Sequence, residues 1–471
     1  MTVNEHPLAD AGELCRLGAS ELTAGYASGE FTPVEVAQSV LARAGEINDR
    51  FNAFTAITAD LALSQARDSA ARWRRGTPLS DIDGVPVTLK DIVSIRGTVI
   101  HAGSTTAAEV PSAADAPSVA RLRAAGGVFV GLTTTPEFGW KAVTDSRFSG
   151  ITRNPWDETK TSGGSSGGAG VAAALGAGVL HLGTDGGGSI RVPSAFCGIV
   201  GLKPTFGRVA ANPPSAFGTV AHIGPMARSV DDAAAMLAAF SGRDLDDWNQ
   251  GAGSFPPVLP LPEGMLAGAR IGYWKTPPCG SVDPQIATLV DAAVKRLEDM
   301  GARVEEVSLP LDGLYEVFTT HWYTGAANRL RAVPVEKHDA VDPGFLAIAA
   351  EGAAISGSDL VGAQVRRAAF GAVMDQLLAR FDFLVSPSTA VLPFAAGEEV
   401  PPGSGLKRWI EWAGFSFPIN LSQQPAITVP CARAPGGLPV GLQIIGARGA
   451  DAAVLAAARE FERSHPTALL P

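Results

Sequence analysis

The chain has 471 residues, of which 46 % are hydrophobic and 18 % charged, with a formal net charge of −10. Length alone allows roughly two to four domains, or one large α/β domain, and the apolar content suffices for an extensive core. The acidic balance, with no long basic run, repels phosphate backbones and argues against a nucleic-acid partner.

The N-terminal stretch through Cys15 has no basic segment followed by an apolar one, so no signal peptide is predicted. Residues 1–75 read as helices. Thr32-Pro33-Val34-Glu35 is a capping box with Pro at the first helical position, and it opens a helix to about Ile47. A second amphipathic pattern runs from Ala59 to Arg75. Asp83-Gly84 then marks a turn, and Val85–Leu89 reads as a short strand that ends at Lys90. Ser118–Ala125 reads as a helix, Val128–Leu132 as a strand, Gly168–Gly178 as a helix of small residues and Val179–Leu182 as a strand. The Pro-rich residues 254–262 are the candidate linker or surface loop. Ile271–Trp274, Asp283–Met300 and Val304–Val307 read as strand, helix and strand. Strands follow at Phe383–Val385, Ala426–Val429 and Val440–Ile445, with a last helix from Ala450.

This alternation predicts an α/β sandwich, and near-continuous apolar strands predict a sheet buried on both faces. Residues 1–471 are read as a single domain, with 84–205 as its catalytic core segment. No apolar run of roughly 18 residues free of breakers occurs, so no membrane partner is predicted. Cys15, Cys197, Cys279 and Cys431 are scattered without C-x-x-C spacing, as free thiols in a reducing cytosol would be, and the location is read as cytoplasmic. No metal-ligand cluster stands out, and neither a metal nor another cofactor is predicted.

Two Gly/Ser clusters lie within Thr161–Thr205: Gly163-Gly164-Ser165-Ser166-Gly167-Gly168 and Gly186-Gly187-Gly188-Ser189. Glycine runs permit close backbone approach, and consecutive N–H groups can converge on an anion. A serine ending such a run could attack a carbonyl while those N–H groups hold the oxyanion. The missing part is a base, because the seven histidines are scattered. A lysine can serve if burial keeps it neutral, and Lys90, at the end of an apolar strand, is a candidate. Spacing alone does not assign it. A Gly/Ser cluster by itself is more often a flexible loop, and a lone lysine more often a surface residue.

The segment resembles the defining stretch of the amidase signature family, GGSS(G/A)G followed by GTD-x-GGSIR-x-P and CG-x-x-GLKPT. Gly163–Gly168, Gly183-Thr184-Asp185, Gly187–Arg191, Pro193 and Cys197–Thr205 match it. Gly84-Val85-Pro86 with Lys90-Asp91, then Asn154-Pro155-Trp156-Asp157 and Gly437–Gln443, match further family segments in the right order. The resemblance implies a large mixed β-sheet core sandwiched by α-helices and a Ser–cisSer–Lys amide hydrolase. Ser189 is then the acylated nucleophile, Ser165 the relay following a cis peptide bond, and Lys90 the base. The N–H groups of Gly186, Gly187, Gly188 and Ser189 are the implied oxyanion hole. Ser166, Asp185 and Arg191 are expected to brace these loops, and Cys197 is expected to be a small buried thiol rather than a nucleophile.

Three other patterns fit the chain loosely. Gly164–Gly168 fits the G-x-S-x-G elbow, which would make Ser166 the nucleophile, but the polar Asp157–Gly163 is no preceding strand. Gly168–Ala173 fits a dinucleotide fingerprint and lacks its strand too. Ser404–Lys407 fits S-x-x-K in a Pro/Gly-rich loop without partner motifs. The chain also departs from the family at Ser162, where proline is common, and at Thr144–Arg147, where an asparagine is common.

The expected partner is a small-molecule amide. Trp140 and Phe148, and the second aromatic group Trp409, Trp412, Phe415 and Phe417, are candidates either for the core or for an apolar acyl pocket. Of these, Trp140, Phe148, Trp412 and Phe415 are taken as pocket residues, implying a carboxamide, aryl amide or hydrazide. The family also includes the glutaminase subunit of the tRNA-dependent amidotransferase, which typically carries an acid just before its F-x-x-P-x-N stretch. Here Trp412-Ala413-Gly414 precedes Phe415–Asn420, and Glu411 is four residues away. A glutamine ammonium would lack its partner there. Homodimers are common among relatives, and monomer and homodimer both stay open.

Overall fold

The structure is a computed structural model that describes residues 11–251 and 255–466. The capping box forms as read: the Glu35 N–H donates to Thr32 Oγ1 at 3.3 Å, and the Thr32 N–H donates to Glu35 Oε2 at 2.7 Å. Its helix runs Pro33–Phe51, a turn past Ile47, until Asn52 takes a left-handed conformation at φ 55°. The N-terminal part is not all helix. Strand β1 (Phe54–Ile57) separates Pro33–Phe51 from the helix Ala59–Arg74. Four residues are too few for a periodic pattern, and β1 is specified by its antiparallel pairing with β3 (Val128–Thr133).

β2 (Pro86–Lys90) and β6 (Leu180–Asp185) lie side by side and parallel, with Leu89 opposite Leu182. Between them in sequence come β3, the short pair β4 (Asp145–Ser146) and β5 (Gly150–Ile151), and the helix Gly167–Ala174. That helix stops before its expected end at Gly178. Gly176 and Gly178 adopt φ of +77° and +128°, which turns the chain into β6.

Then follow β7 (Val200–Lys203), β8 (His222–Ala227), β9 (Arg270–Tyr273), β10 (Arg303–Glu306), β11 (Phe383–Pro387), β12 (Ala426–Arg433) and β13 (Pro439–Ile445). Eleven strands form one mixed sheet in the order β1-β3-β2-β6-β8-β7-β12-β13-β11-β9-β10. Both faces are covered, as predicted. Phe383 and Val385 enter one apolar core while Leu384 between them enters the other. Ile444 and Ile445 divide in the same way.

Within the Pro-rich stretch, Ser254 lies outside the described residues. From Phe255 to Pro262 the chain forms no regular element, although Val258 and Leu261 are buried. Three helices absent from the sequence reading, Leu314–Leu330, Pro343–Ala353 and Gly357–Leu378, build much of the second core. Among the described residues no single helix is long and apolar enough to cross a membrane; the bent pair Pro343–Ala353 and Gly357–Leu378 passes only when its two helices, 98° apart, are counted together.

Candidate active site

The parallel strands β2 and β6 point their carboxyl ends the same way, and Lys90 and Thr184 come off those ends. Open α/β sheets commonly place their ligands in this position. Lys90 has no exposed surface. Its Nζ lies 2.7 Å from Ser165 Oγ, 2.9 Å from Thr184 Oγ1 and 3.0 Å from Ser166 Oγ. Burial pushes its pKa down to about 7, and the nearby Asp185 charge offsets part of that shift. A neutral amine is therefore accessible at ordinary pH.

Ser165 follows a cis peptide bond from Gly164, as the resemblance implied. Only glycine fits at 164, because a Cβ there would stand 2.5 Å from the Val143 backbone. The departures from the family pattern brace the same loop. Thr144 Oγ1 donates to the Gly163 carbonyl at 2.8 Å and accepts from the Gly167 N–H at 3.1 Å. Ser162 Oγ bonds the Thr152 and Gly163 carbonyls, each at 3.2 Å, holding by hydrogen bonds what a proline ring would hold by geometry. Ser166 does more than brace: besides touching Lys90, its N–H donates to the Ser189 carbonyl at 3.1 Å, tying the two Gly/Ser loops together.

Asp185 and Arg191 are both fully buried and paired in the fork geometry, with Nε–Oδ2 and Nη2–Oδ1 distances of 2.9 Å. Burial would raise the Asp185 pKa, but Arg191 and Asn420 hold it below the usual carboxylate range. Arg191 is fixed in turn by Asn420 Oδ1 at 2.6 Å and Gln443 Oε1 at 2.8 Å. The Asp185 carboxylate also accepts the Gly188 N–H at 2.8 Å. This corrects the expected oxyanion hole, since Gly188 already has an acceptor. Gly186, Gly187 and Ser189 have no protein acceptor for their N–H groups among the described residues. Side chains would not fit at Gly186 or Gly187, where a Cβ would meet Trp322 at 2.8 Å or Trp409 at 2.7 Å.

A cavity of about 470 Å³ opens above this floor. Ser165, Thr184, Gly186 and Ser189 border it. Its aromatic wall is Phe138, Phe206, Phe217 and Trp322, with Phe217 stacked on Trp322 at 3.9 Å. None of the four expected pocket aromatics borders it. Trp140 is buried in the second core, Trp412 stacks on Phe196 at 5.9 Å, Phe415 meets Trp274 edge-on at 5.1 Å, and Phe148 stacks on His101 at 4.2 Å. Trp140, Trp412 and Phe415 filled the core, while the wall came from Phe138 and Phe206, close to the motifs, and from Phe217 and the helix residue Trp322, farther along the chain.

Cys197 is a buried thiol whose Sγ contacts the Ser162 carbonyl at 3.4 Å, and burial pushes its pKa up, which disfavours the thiolate. Among the described residues no group of three His, Cys, Asp or Glu side chains could hold a metal.

Residues 35–455 match the family model Amidase. The chain belongs to the amidase signature family. It is 33 % identical over 459 residues to an acylamidase of Rhodococcus erythropolis, covering 96 % of each chain. It is 34 % identical over 481 residues to a glutamyl-tRNA(Gln) amidotransferase subunit of Symbiobacterium thermophilum, covering 95 % of this chain and 96 % of the other. Among solved structures, a bacterial aryl acylamidase of the amidase signature family superposes with a TM-score of 0.88 at 27 % identity, over 96 % of each chain. The fold and the amide-hydrolase class follow from this membership.

Proposed function

We propose that the chain is a stand-alone serine amide hydrolase that works through Ser189, Ser165 and Lys90. The observation that carries this reading is the 2.7 Å contact of buried Lys90 Nζ with Ser165 Oγ, at the floor of a cavity that Ser189 also borders. Ser189 Oγ attacks the amide carbonyl. Its proton passes to Ser165 Oγ as the Ser165 proton passes to Lys90 Nζ. The oxyanion takes N–H donors from Gly186, Gly187 and Ser189, each worth about 3–4 kcal/mol in the transition state. The proton then returns through Ser165 to the leaving nitrogen, which amides require because an amine anion is a very poor leaving group. Water releases the acyl group from Ser189 by the reverse path.

The aromatic wall favours an apolar or aryl acyl group on a carboxamide, aryl amide or hydrazide. Similarity to amidotransferase subunits supports a second reading, a glutaminase needing a partner. The cavity opposes it. Glu411 lies outside the lining and accepts the Lys407 N–H at 2.6 Å. Asp247, the acid on the wall, already accepts the Ala211 and Asn249 N–H groups at 2.8 and 2.9 Å.

The test is amine release by the purified chain from aliphatic amides, aryl amides, hydrazides and glutamine. Aryl amide or hydrazide turnover that disappears in Ser189→Ala and Lys90→Ala supports the proposal. Turnover of glutamine alone would favour the partner-dependent reading, and activity surviving Ser189→Ala would end the mechanism.

A further inference from the structure

The helix Leu314–Leu330 lays two side chains along the cavity, Trp322 and Arg329. Seven residues apart, they share one helix face and are spaced about 10 Å along its axis. Trp322 marks the reacting end. Its ring limits Gly186, where a Cβ would stand 2.8 Å away, and its Nε1 is anchored on the Trp140 carbonyl at 3.0 Å. Arg329 borders the same cavity, with its guanidinium carbon 4.3 Å from the centroid of the Phe138 ring.

Arg329 makes no ion pair with any described residue. The Glu137 charge acts on it without an ion-pair contact, and the Glu137 carboxylate is engaged by the Ser104 hydroxyl and by the Asp342 N–H at 2.5 Å. Asp247 is committed to two backbone amides. The remainder of the wall is largely apolar or uncharged. A planar cation over an aromatic ring, half-buried and making no direct ion pair among the described residues, is suited to receive a carboxylate through two parallel hydrogen bonds.

We propose that Arg329 is a specificity residue that binds a carboxylate carried by the substrate away from the scissile amide. The preferred substrates are then acids bearing a remote amide, with an apolar segment between the two groups. This deepens the amidase reading and rests on it.

The test is calorimetric binding to Ser189→Ala protein, which prevents turnover through the proposed nucleophile. The probes are monoamides of straight-chain dicarboxylic acids, from succinic to sebacic, each compared with its methyl ester. At the best-fitting length the acid should bind at least about tenfold tighter than the ester, about 1.4 kcal/mol. Arg329→Met, placed in the same protein, should bring that ratio close to one, and Arg329→Lys should keep part of it. Acids binding no tighter than their esters at any length would overturn the proposal without recourse to the Arg329 variants. A full preference surviving Arg329→Met would overturn it as well. Ammonia release by the unmodified chain is read separately. A binding preference without turnover of any amide would sink the amidase reading and leave the carboxylate site standing. Turnover without a preference would sink the site alone.

Discussion

The ends of β2 and β7 each bury a lysine, and the contrast between them shows what burial can and cannot do. Lys90 and Lys203 both have no exposed surface, and burial pushes both ammonium groups below the ordinary lysine range. Lys203 Nζ meets carbonyl oxygens, that of Pro204 at 3.2 Å and that of Gln424. Lys90 Nζ meets the hydroxyls of Ser165, Ser166 and Thr184. A carbonyl only accepts, so Lys203 has no proton to take from its partners. A hydroxyl can donate as well, so a neutral Lys90 can receive the proton of Ser165. Burial sets the basicity, and the partner decides whether there is a proton to move.

The largest effect that tests this contrast is the loss of the base. Lys90→Met should cut kcat/KM by about 10³-fold or more, within the range that general-base removal produces. Its melting temperature should hold, because the three hydroxyls can bond one another and no buried charge is stranded. A variant that melts early would mean that Lys90 is a structural lysine like Lys203. Next comes Asp185→Asn. It leaves Arg191 buried without its carboxylate, and breaking such a pair costs about 3–5 kcal/mol, read as a lower midpoint in urea. An unchanged midpoint would show that Asn420 and Gln443 suffice to hold the guanidinium. Lys203→Met should give the reverse of Lys90→Met: a stability loss of about 1–3 kcal/mol from stranded carbonyls, with kcat/KM kept within tenfold. Equal losses of activity in the two lysine variants would erase the distinction.

The sequence made one side of the site legible and left the other blank, for physical reasons. Lys90, Ser165 and Ser189 stand in short contiguous motifs whose glycines answer to local backbone crowding, as at Gly164, so the chain itself displays them. Most of the sheet was legible too, because strands buried on both faces read as unbroken apolar runs, although β1, β7 and β8 were not read. The cavity wall was not. Trp322 and Arg329 ride on a helix whose buried residues recur at helical spacing from Leu314 to Ala326, but His321, Gly325 and Ala326 among them are not the large apolar types that would display that stripe in the sequence. Phe206 and Phe217 sit outside regular elements. Trp140 and Trp412 looked like wall residues because a large buried ring has the same composition signal in a core as beside a ligand. Gly188 was misplaced because a glycine run does not reveal which of its N–H groups a carboxylate has already claimed. Thr184, inside the matched G-T-D triplet, was an overlooked residue that could have been found, since it stands at the carboxyl end of β6, beside the end of β2 that carries Lys90.

Thr184 also yields the finest test of the contrast. A lysine ammonium has three protons, and the three hydroxyls around Lys90 accept them all. The neutral amine has two, so one hydroxyl must turn and donate to nitrogen. For catalysis that hydroxyl is Ser165. Activity requires the neutral form, so kcat/KM should fall about tenfold per pH unit below the Lys90 pKa of about 7 and level off above it. Thr184→Val removes an acceptor from both forms, but the charge-assisted bond that the ammonium loses is the stronger of the two. The charged form loses support, the pKa falls further, and the acid limb of the pH–rate profile should move to lower pH. The plateau should drop only a few-fold, in keeping with one hydrogen bond of about 1 kcal/mol that positions the amine. If the limb stayed in place or moved upward, the hydroxyl cage would not be what tunes Lys90, and burial alone would have to explain both lysines.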